Sequence, residues 1–485
     1  MSKRVRHASF ASCVGLVAVS CWAADAAASG FALREQSAEG LGNAFAGETA
    51  KAYDPSTAYY NPAGMARLDG IQAGASVAWI APVAKFTGTN SSPLGSNSSL
   101  PGGNVGGTQP QDAIKDAAIG SVYATWRANP NWSLGLGVAT PFGMRSEYKE
   151  DWVGRYQALA SDVTDVEFSP TLAYRVNDKL SLGGGLRTDY LKARLTQAVN
   201  FRGIATGAGQ ALVGALTPAQ QAALAPQLAG LNAAIGTVGD GLGKVEGDDW
   251  SVGYVLSGLY ELDDASRLGL SYRSRVFHKL EGNATFQTPA ALAGLAGAVG
   301  GIFGAPAAAA VASQLPVNQS ATAKITLPDS LSAGYYRDLN AQWAVMSDVQ
   351  WTHWSVFKSL NVIGGNGQTV SSTVENWQDT WYVSLGANYK PTDKWTIHGG
   401  VAYDESPVTD QYRTARVPDS NRYWTAIGVS YAVLPGAAVN VSYSHLFADN
   451  AKINETTAAA AATGTLTGTY NNSVDIFSAS VSMRF

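Results

Sequence analysis

The sequence predicts an all-β fold, an antiparallel transmembrane β-barrel of about fourteen strands. Three observations carry that expectation. Only 14% of the 485 residues are charged, yet beyond the first residues no run of about eighteen uncharged apolar residues is present to make a spanning helix. The candidate strands alternate apolar and polar side chains with a period of two. Their connections alternate between tight turns and long loops, as the two rims of an outer-membrane barrel do.

The N-terminus reads as an export signal over residues 1–28. Lys3, Arg4 and Arg6 open it, an apolar stretch runs through Val14 to Val19, and Ala26-Ala27-Ala28 provides the small residues of a cleavage site. A lipoprotein anchored at Cys21 is the rival reading, although Ala18-Val19-Ser20 makes a poor lipidation box. Both cysteines, Cys13 and Cys21, fall in this segment, so the mature chain draws no stability from disulfides. Its removal takes away Lys3, Arg4, Arg6 and Asp25, and the formal charge moves from -4 to -6. That balance argues against a nucleic-acid partner.

Strands are expected to begin near Ile71, Ala113, Trp132, Val163, Leu180, Asp248, Ser266, Ala321, Trp343, Asp379, Trp395, Arg422, Ala438 and Tyr470. The last shows the pattern best: Phe477, Ala479, Val481, Met483 and Phe485 alternate with Ser478, Ser480, Ser482 and Arg484. A soluble sandwich alternates too, but the loop asymmetry favours a barrel with its apolar face outward. Lipid offers no partner to an open sheet edge, so a spanning sheet must close. Turns are expected at Asn129-Pro130-Asn131, Asn177-Asp178-Lys179, Asp263-Asp264-Ala265, Leu339-Asn340-Ala341, Pro391-Thr392-Asp393 and Leu434-Pro435-Gly436. Long loops are expected over 88–111, 203–246, 287–319 and 449–468. Within them Ala211 to Ala234 and Pro289 to Ala312 have a composition that suits either short helices, with Thr217-Pro218 as a helix start, or low-complexity mobile surface loops. Apolar on one face, such helices would offer an outer landing surface for a greasy ligand. Trp132, Trp250, Trp343, Trp381 and Trp395 near strand ends suit interfacial girdles.

Chemical motifs are sparse. His278, His353, His398 and His445 show no metal-ligand spacing, so no metal and no cofactor is expected. Gly183-Gly184-Gly185 lies inside a strand, where it lets a neighbour approach, and no helix follows to cradle a phosphate. No serine pairs recognisably with a base, so no catalytic residue is assigned; a barrel hydrolase stays a distant alternative. In Leu134 to Met144, Pro141 lacks an amide donor and either bends the strand, opening the wall, or ends it at Thr140.

Between the export signal and the first strand lies the oddly punctuated stretch YYNPAGMARLDG, Tyr59 to Gly70. With SGFALREQSAEGLGNAFAGETA before it, and TPFGMRSEY, LPDSLSAGYYRDLNAQWAVMSDVQWTHWSVF and DKWTIHGGVAYDESPV…RVPDSNRYWTAIGVSYA after it, the chain resembles the FadL/TodX family of outer-membrane transporters. These stretches span nearly the whole mature chain in family order. The resemblance implies a fourteen-stranded barrel, 71–485, plugged by an N-terminal hatch, 29–70. It maps the hatch motif onto Asn61, Pro62, Ala63 and Gly64, with Phe31 near the end that shifts, and a lateral gate onto Thr140, Pro141, Phe142 and Gly143. Gly40, Gly42 and Gly47 would permit the hatch's tight turns.

The function it implies is passive uptake of long-chain fatty acids, or of neutral compounds such as monoaromatic hydrocarbons or alkanes, with release sideways into the bilayer. A family arginine that meets the ligand's polar end is replaced by Gln197, leaving Arg187, Lys192, Arg194 and Lys358 as substitutes. The chain is expected in the Gram-negative outer membrane, as a monomer among lipid and lipopolysaccharide.

Overall fold

The computed structural model describes residues 30–92, 103–110, 112–456 and 463–485. The expected export signal at 1–28, and parts of the loops expected at 88–111 and 449–468, lie outside the described residues. The described chain forms twenty strand segments: β1 (Ile71–Ser91), β2 (Ala117–Arg127), β3 (Trp132–Ala139), β4 (Gly143–Glu147), β5 (Ala160–Arg175), β6 (Leu180–Val199), β7 (Gly241–Asp263), β8 (Ser266–Arg273), β9 (Val276–Gln287), β10 (Gln319–Leu327), β11 (Ser330–Asp338), β12 (Trp343–Thr352), β13 (Ser359–Gly364), β14 (Thr369–Val374), β15 (Thr380–Tyr389), β16 (Trp395–Asp404), β17 (Arg422–Leu434), β18 (Ala437–Ala448), β19 (Ala451–Thr456) and β20 (Thr465–Arg484). The pairs β3/β4, β8/β9, β10/β11, β12/β13, β14/β15 and β18/β19 are each one interrupted wall strand, which leaves fourteen strands in the wall. Every pairing is antiparallel with its neighbour, and β1 closes on β20 from Gln72↔Arg484 to Ser91↔Thr465.

At one rim the turns are built by side chains that mimic the backbone. Asn129 Oδ1 accepts from the amides of Asn131 and Trp132, both at 3.0 Å, and Asn177 and Asn340 repeat the arrangement. The other rim carries longer connections, shorter than expected because the strands run further: β7 already starts at Gly241 and β20 at Thr465, while β19 forms within the expected final loop.

The outward face is apolar. Leu186, Leu256, Leu270, Phe277, Leu385, Val441 and Phe477 are exposed there, as lipid-facing positions require. Just beyond the short turns, aromatic rings pair across strands, Trp132 with Tyr174, Trp343 with Tyr389 and Trp395 with Tyr431, with centroids 4.6, 4.6 and 4.5 Å apart. Trp250 and Tyr190 pair at 5.0 Å. These rings form girdles of the kind that sit at headgroup level.

The inward face is polar, and the N-terminal segment fills it. That segment contains α1 (Ala38–Gly42), α2 (Thr57–Tyr60) and a 3₁₀ turn (Pro62–Arg67). Asn61 caps the turn by accepting from the Ala63 amide at 3.0 Å, and its Nδ2 donates to Thr49 O and to Gly258 O on the wall. Lys51 is buried between Glu39, 2.7 Å away, and Glu48, because a buried ammonium survives only when paired. Of Gly40, Gly42 and Gly47, only Gly47 adopts a positive φ, 71°. Gly40 and Gly42 sit instead within α1, where Gly42 lets the helix touch the wall: a Cβ there would lie 3.0 Å from Gly428 Cα. The wall reciprocates. A Cβ on Gly183 would come 2.2 Å from the Ala63 amide nitrogen, and one on Gly269 would come 1.8 Å from Thr49 O.

Outside the barrel, α3 (Phe201–Gly214), α4 (Pro218–Ala223), α5 (Ala225–Gly236), α6 (Ala291–Phe303) and α7 (Ala305–Ala312) form from the two Ala-rich loops. Thr217 and Gln220 make a capping box with Pro218 in the first turn. The expected landing surface does not form in this arrangement. The apolar faces pack on one another through Phe201, Leu231, Ile235, Leu292, Leu295 and Val299, since two loops of this composition bury more area together than either buries alone.

Gly269→Val should push the N-terminal segment off the wall while the barrel still folds. We expect a near-closed barrel to become conductive in planar bilayers, with an unaltered heat-dependent gel shift; conductance as low as in the parent would contradict this fit.

Candidate functional site

The break in the wall between β3 and β4 has a chemical cause. Pro141 has no amide to donate, so β3 ends at Ala139 and the strand resumes as β4 at Gly143. β2 pairs with β3 only from Val122↔Val138 to Arg127↔Ser133. Its half from Ala117 to Ser121 has no partner strand on that side among the described residues. The two edges meet again only higher up, at the Ile114↔Ser146 bridge. Between these limits lies a window.

The N-terminal segment covers the window from inside. Ala32 bridges Phe142, with the Leu33 amide donating to Pro141 O and the Gly143 amide donating to Phe31 O, both at 2.8 Å. Farther along, the Gly30 amide donates to Asp419 Oδ2 at 2.8 Å.

Two cavities meet at these residues. The first holds about 780 Å³ of free space, its open mouth included. Phe31, Met144, Val163, Leu280, Ile325 and Phe357 give it apolar walls, and Glu246, Glu375 and Arg416 are its ionisable residues. The second, about 880 Å³, is lined by Leu33, Arg34, Pro141, Phe142, Arg187 and Arg273 and reaches the window. An aromatic cluster stands between them. The Phe31 ring packs 5.8 Å from Phe142, 4.9 Å from Trp354, 6.0 Å from Phe357 and 5.5 Å from Trp377.

Arg416 is the charged residue that sequence reasoning missed. Its Nη1 donates to Ala160 O, Ser161 Oγ and Thr196 O at 3.1 to 3.2 Å, and its Nη2 donates to Gln197 Oε1 at 3.0 Å. The Nε–H and the second Nη2–H have no protein acceptor among the described residues. Two carboxyls, Glu455 and Glu375, lie near enough to act on its charge.

The sequence-derived polar candidates fare unevenly. Gln197 reaches the site, but as the residue that holds Arg416. Arg187 lines the second cavity and is held by Glu167 Oε2, Asp189 Oδ2 and Ser274 O, at 2.7, 3.0 and 2.8 Å. Lys192 and Arg194 alternate onto the outward face of β6, where Arg194 pairs with Asp162 at 3.3 Å. Lys358 is exposed in a loop. Only the motif RVPDS could have pointed to Arg416, because Gln197 and Arg416 lie 219 residues apart.

A family model described as outer membrane protein transport protein (OMPP1/FadL/TodX) matches residues 19–485. The long-chain fatty acid transport protein of Escherichia coli is 28% identical over 444 residues, 91% of this chain and 92% of that one. A 47 kDa outer membrane protein of Pasteurella multocida is 28% identical over 424 residues, 87% and 88% of the two chains. Among solved structures, a Pseudomonas aeruginosa FadL homologue superposes with a TM-score of 0.79 at 25% identity, covering 94% of this chain and all of that one, 100%. The Pseudomonas putida toluene transporter TodX shares the fold at a TM-score of 0.61 and 16% identity, over 93% and 99% of the chains.

Phe31→Ala removes the ring between the cavities and should cost about 3–5 kcal/mol of local packing. We expect faster amide exchange over residues 30–33 and at Phe142 and Gly143, read by mass spectrometry; unchanged protection would show that other contacts hold the segment.

Proposed function

Given that the chain belongs to the OMPP1/FadL/TodX family of outer membrane transport proteins, we propose that it takes up long-chain fatty acids passively and releases them sideways through the window at Thr140–Gly143. It is an outer-membrane β-barrel, and its relatives are transporters of hydrophobic compounds. The observation that carries the fatty-acid reading is the pairing of an apolar cavity with Arg416, whose two unmet donors suit a carboxylate.

The geometry supports the following route. The acyl chain leaves water for the first cavity, gaining about 0.8 kcal/mol per methylene, on the order of 10 kcal/mol for a long chain before ordering costs. Gln197 and the carbonyls of Ala160 and Thr196 hold Arg416 against the carboxylate. Residues 29–70 act as the hatch, in which Asn61, Pro62, Ala63 and Gly64 fix the body to the wall while the end bearing Phe31 shifts. That shift joins the two cavities and uncovers the window, and the chain exits into lipid without crossing an aqueous pore.

Neutral hydrocarbons are the second reading, favoured by the apolar walls and by the fold shared with the toluene transporter. No chemical step is needed. The hydrogen-bonded series Ser430–His398–Asn388, at 2.6 and 2.8 Å, superficially suggests hydrolysis, but neither Ser430 nor His398 lines any cavity described above.

Arg416→Met should weaken oleate binding by roughly tenfold to a hundredfold, the worth of a charge-assisted hydrogen bond, and leave toluene binding unchanged. Calorimetry in detergent measures both; equal affinity for oleate in the variant and the parent would transfer the assignment to neutral hydrocarbons. Replacing Pro141 and Gly143 together by valine should narrow the window and slow uptake. Unaltered uptake would argue against lateral release.

A further inference from the structure

The window leaves backbone groups that no strand satisfies, and one side chain meets them. Thr140 lies past the last rung between β3 and its neighbours, with Pro141 next in the chain. Its amide donates to Gln36 Oε1 at 3.1 Å, and its carbonyl accepts from Gln36 Nε2 at 2.7 Å. The Gln36 carboxamide thus presents to Thr140 the same donor and acceptor that a partner strand would present. On the opposite edge, the Gln36 main-chain carbonyl accepts from Ser121 Oγ at 2.7 Å and from Tyr123 Oη at 3.1 Å, both on β2. Gln36 is fully buried, and Nε2 also reaches Leu33 O at 3.3 Å. One residue therefore ties the two edges of the window to each other and to the N-terminal segment.

We propose that Gln36 is the latch of the lateral window, a positioning residue that pairs Thr140 in the closed state and sets how often the window opens. The proposal rests on the lateral-release reading. An opened Thr140 loses the donor and the acceptor that the carboxamide presents to it, so the closed state is favoured for as long as Gln36 is in place. A passing acyl chain offers no replacement hydrogen bond, and Gln36 re-forms its pair once the chain has gone. Gln36 touches no part of the Arg416 site, so its effect should fall on the rate of release and not on the affinity of loading.

The test is the nearly isosteric Gln36→Met in the full-length purified barrel. We expect amide exchange at Thr140 to rise about tenfold or more, with the barrel's thermal unfolding unchanged. In reconstituted vesicles the maximal rate of oleate uptake should rise several-fold at an unchanged half-saturation concentration. Exchange as slow as in the parent, or a change confined to half-saturation, would overturn the proposal. Should Gln36→Met fail to assemble, Ser121→Ala with Tyr123→Phe removes only the donors on β2 and should show a smaller change in the same direction; no change would again overturn it. The mature chain has no cysteine, so Ala32→Cys with Phe142→Cys provides a clean covalent lock across the bridged pair. Uptake blocked by oxidation and restored by reductant supports release at the window. Undiminished uptake by the cross-linked protein would sink lateral release itself, whereas the exchange measurement judges the latch independently.

Discussion

A backbone in lipid must satisfy every amide and carbonyl from within the protein, and the rest of this structure follows from that demand. It forces β1 onto β20, so that the sheet has no edge. It also gives Pro141 its importance. In a soluble sheet a proline merely interrupts pairing; here the interrupted rungs face the bilayer, and the chain's own N-terminal segment supplies what the ladder lacks, through Phe31, Leu33 and Gln36.

Filling a polar lumen with a folded segment brings a second demand. Charges inside the barrel are far from bulk water, and the principal ones are met in groups: Lys51 by Glu39 and Glu48, and Arg187 by Glu167 and Asp189. Where the segment's backbone comes nearest to the wall, the wall presents glycine, at Gly183 against Ala63 and at Gly269 against Thr49. The body of the segment is thereby fixed at many points. Its end beyond Arg34 depends on a few hydrogen bonds and the packing of Phe31, so it is the part that can move at the lowest cost.

On the proposed reading, loading and release fall to different contacts. Arg416 belongs to a loop packed over the apolar cavity and is oriented by Gln197 and by carbonyls of β5 and β6. The window lies on the other side of the Phe31 cluster. Affinity can change at one place without altering the aperture at the other, provided that the aromatic residues between them stay packed.

The sequence by itself determined the barrel, its strand order and its rims. Strand starts at Ile71, Trp132, Leu180, Ser266, Trp343, Trp395 and Arg422 were read at the observed residues, since alternation and Asx-turn chemistry are local properties. The break at Pro141 was legible for the same reason: a missing amide is visible in one residue. Tertiary structure decided what meets across the lumen. Lys192 and Arg194 are pocket candidates by sequence, yet they alternate outward. The helical loops hide their apolar faces in each other, and the pocket charge comes from Arg416 while Gln197 turns into its support. Gln36, unremarked in the sequence, becomes a partner for Thr140, 104 residues away. A barrel brings distant strands and loops together around a shared interior, and no periodicity along the chain records which of them will touch.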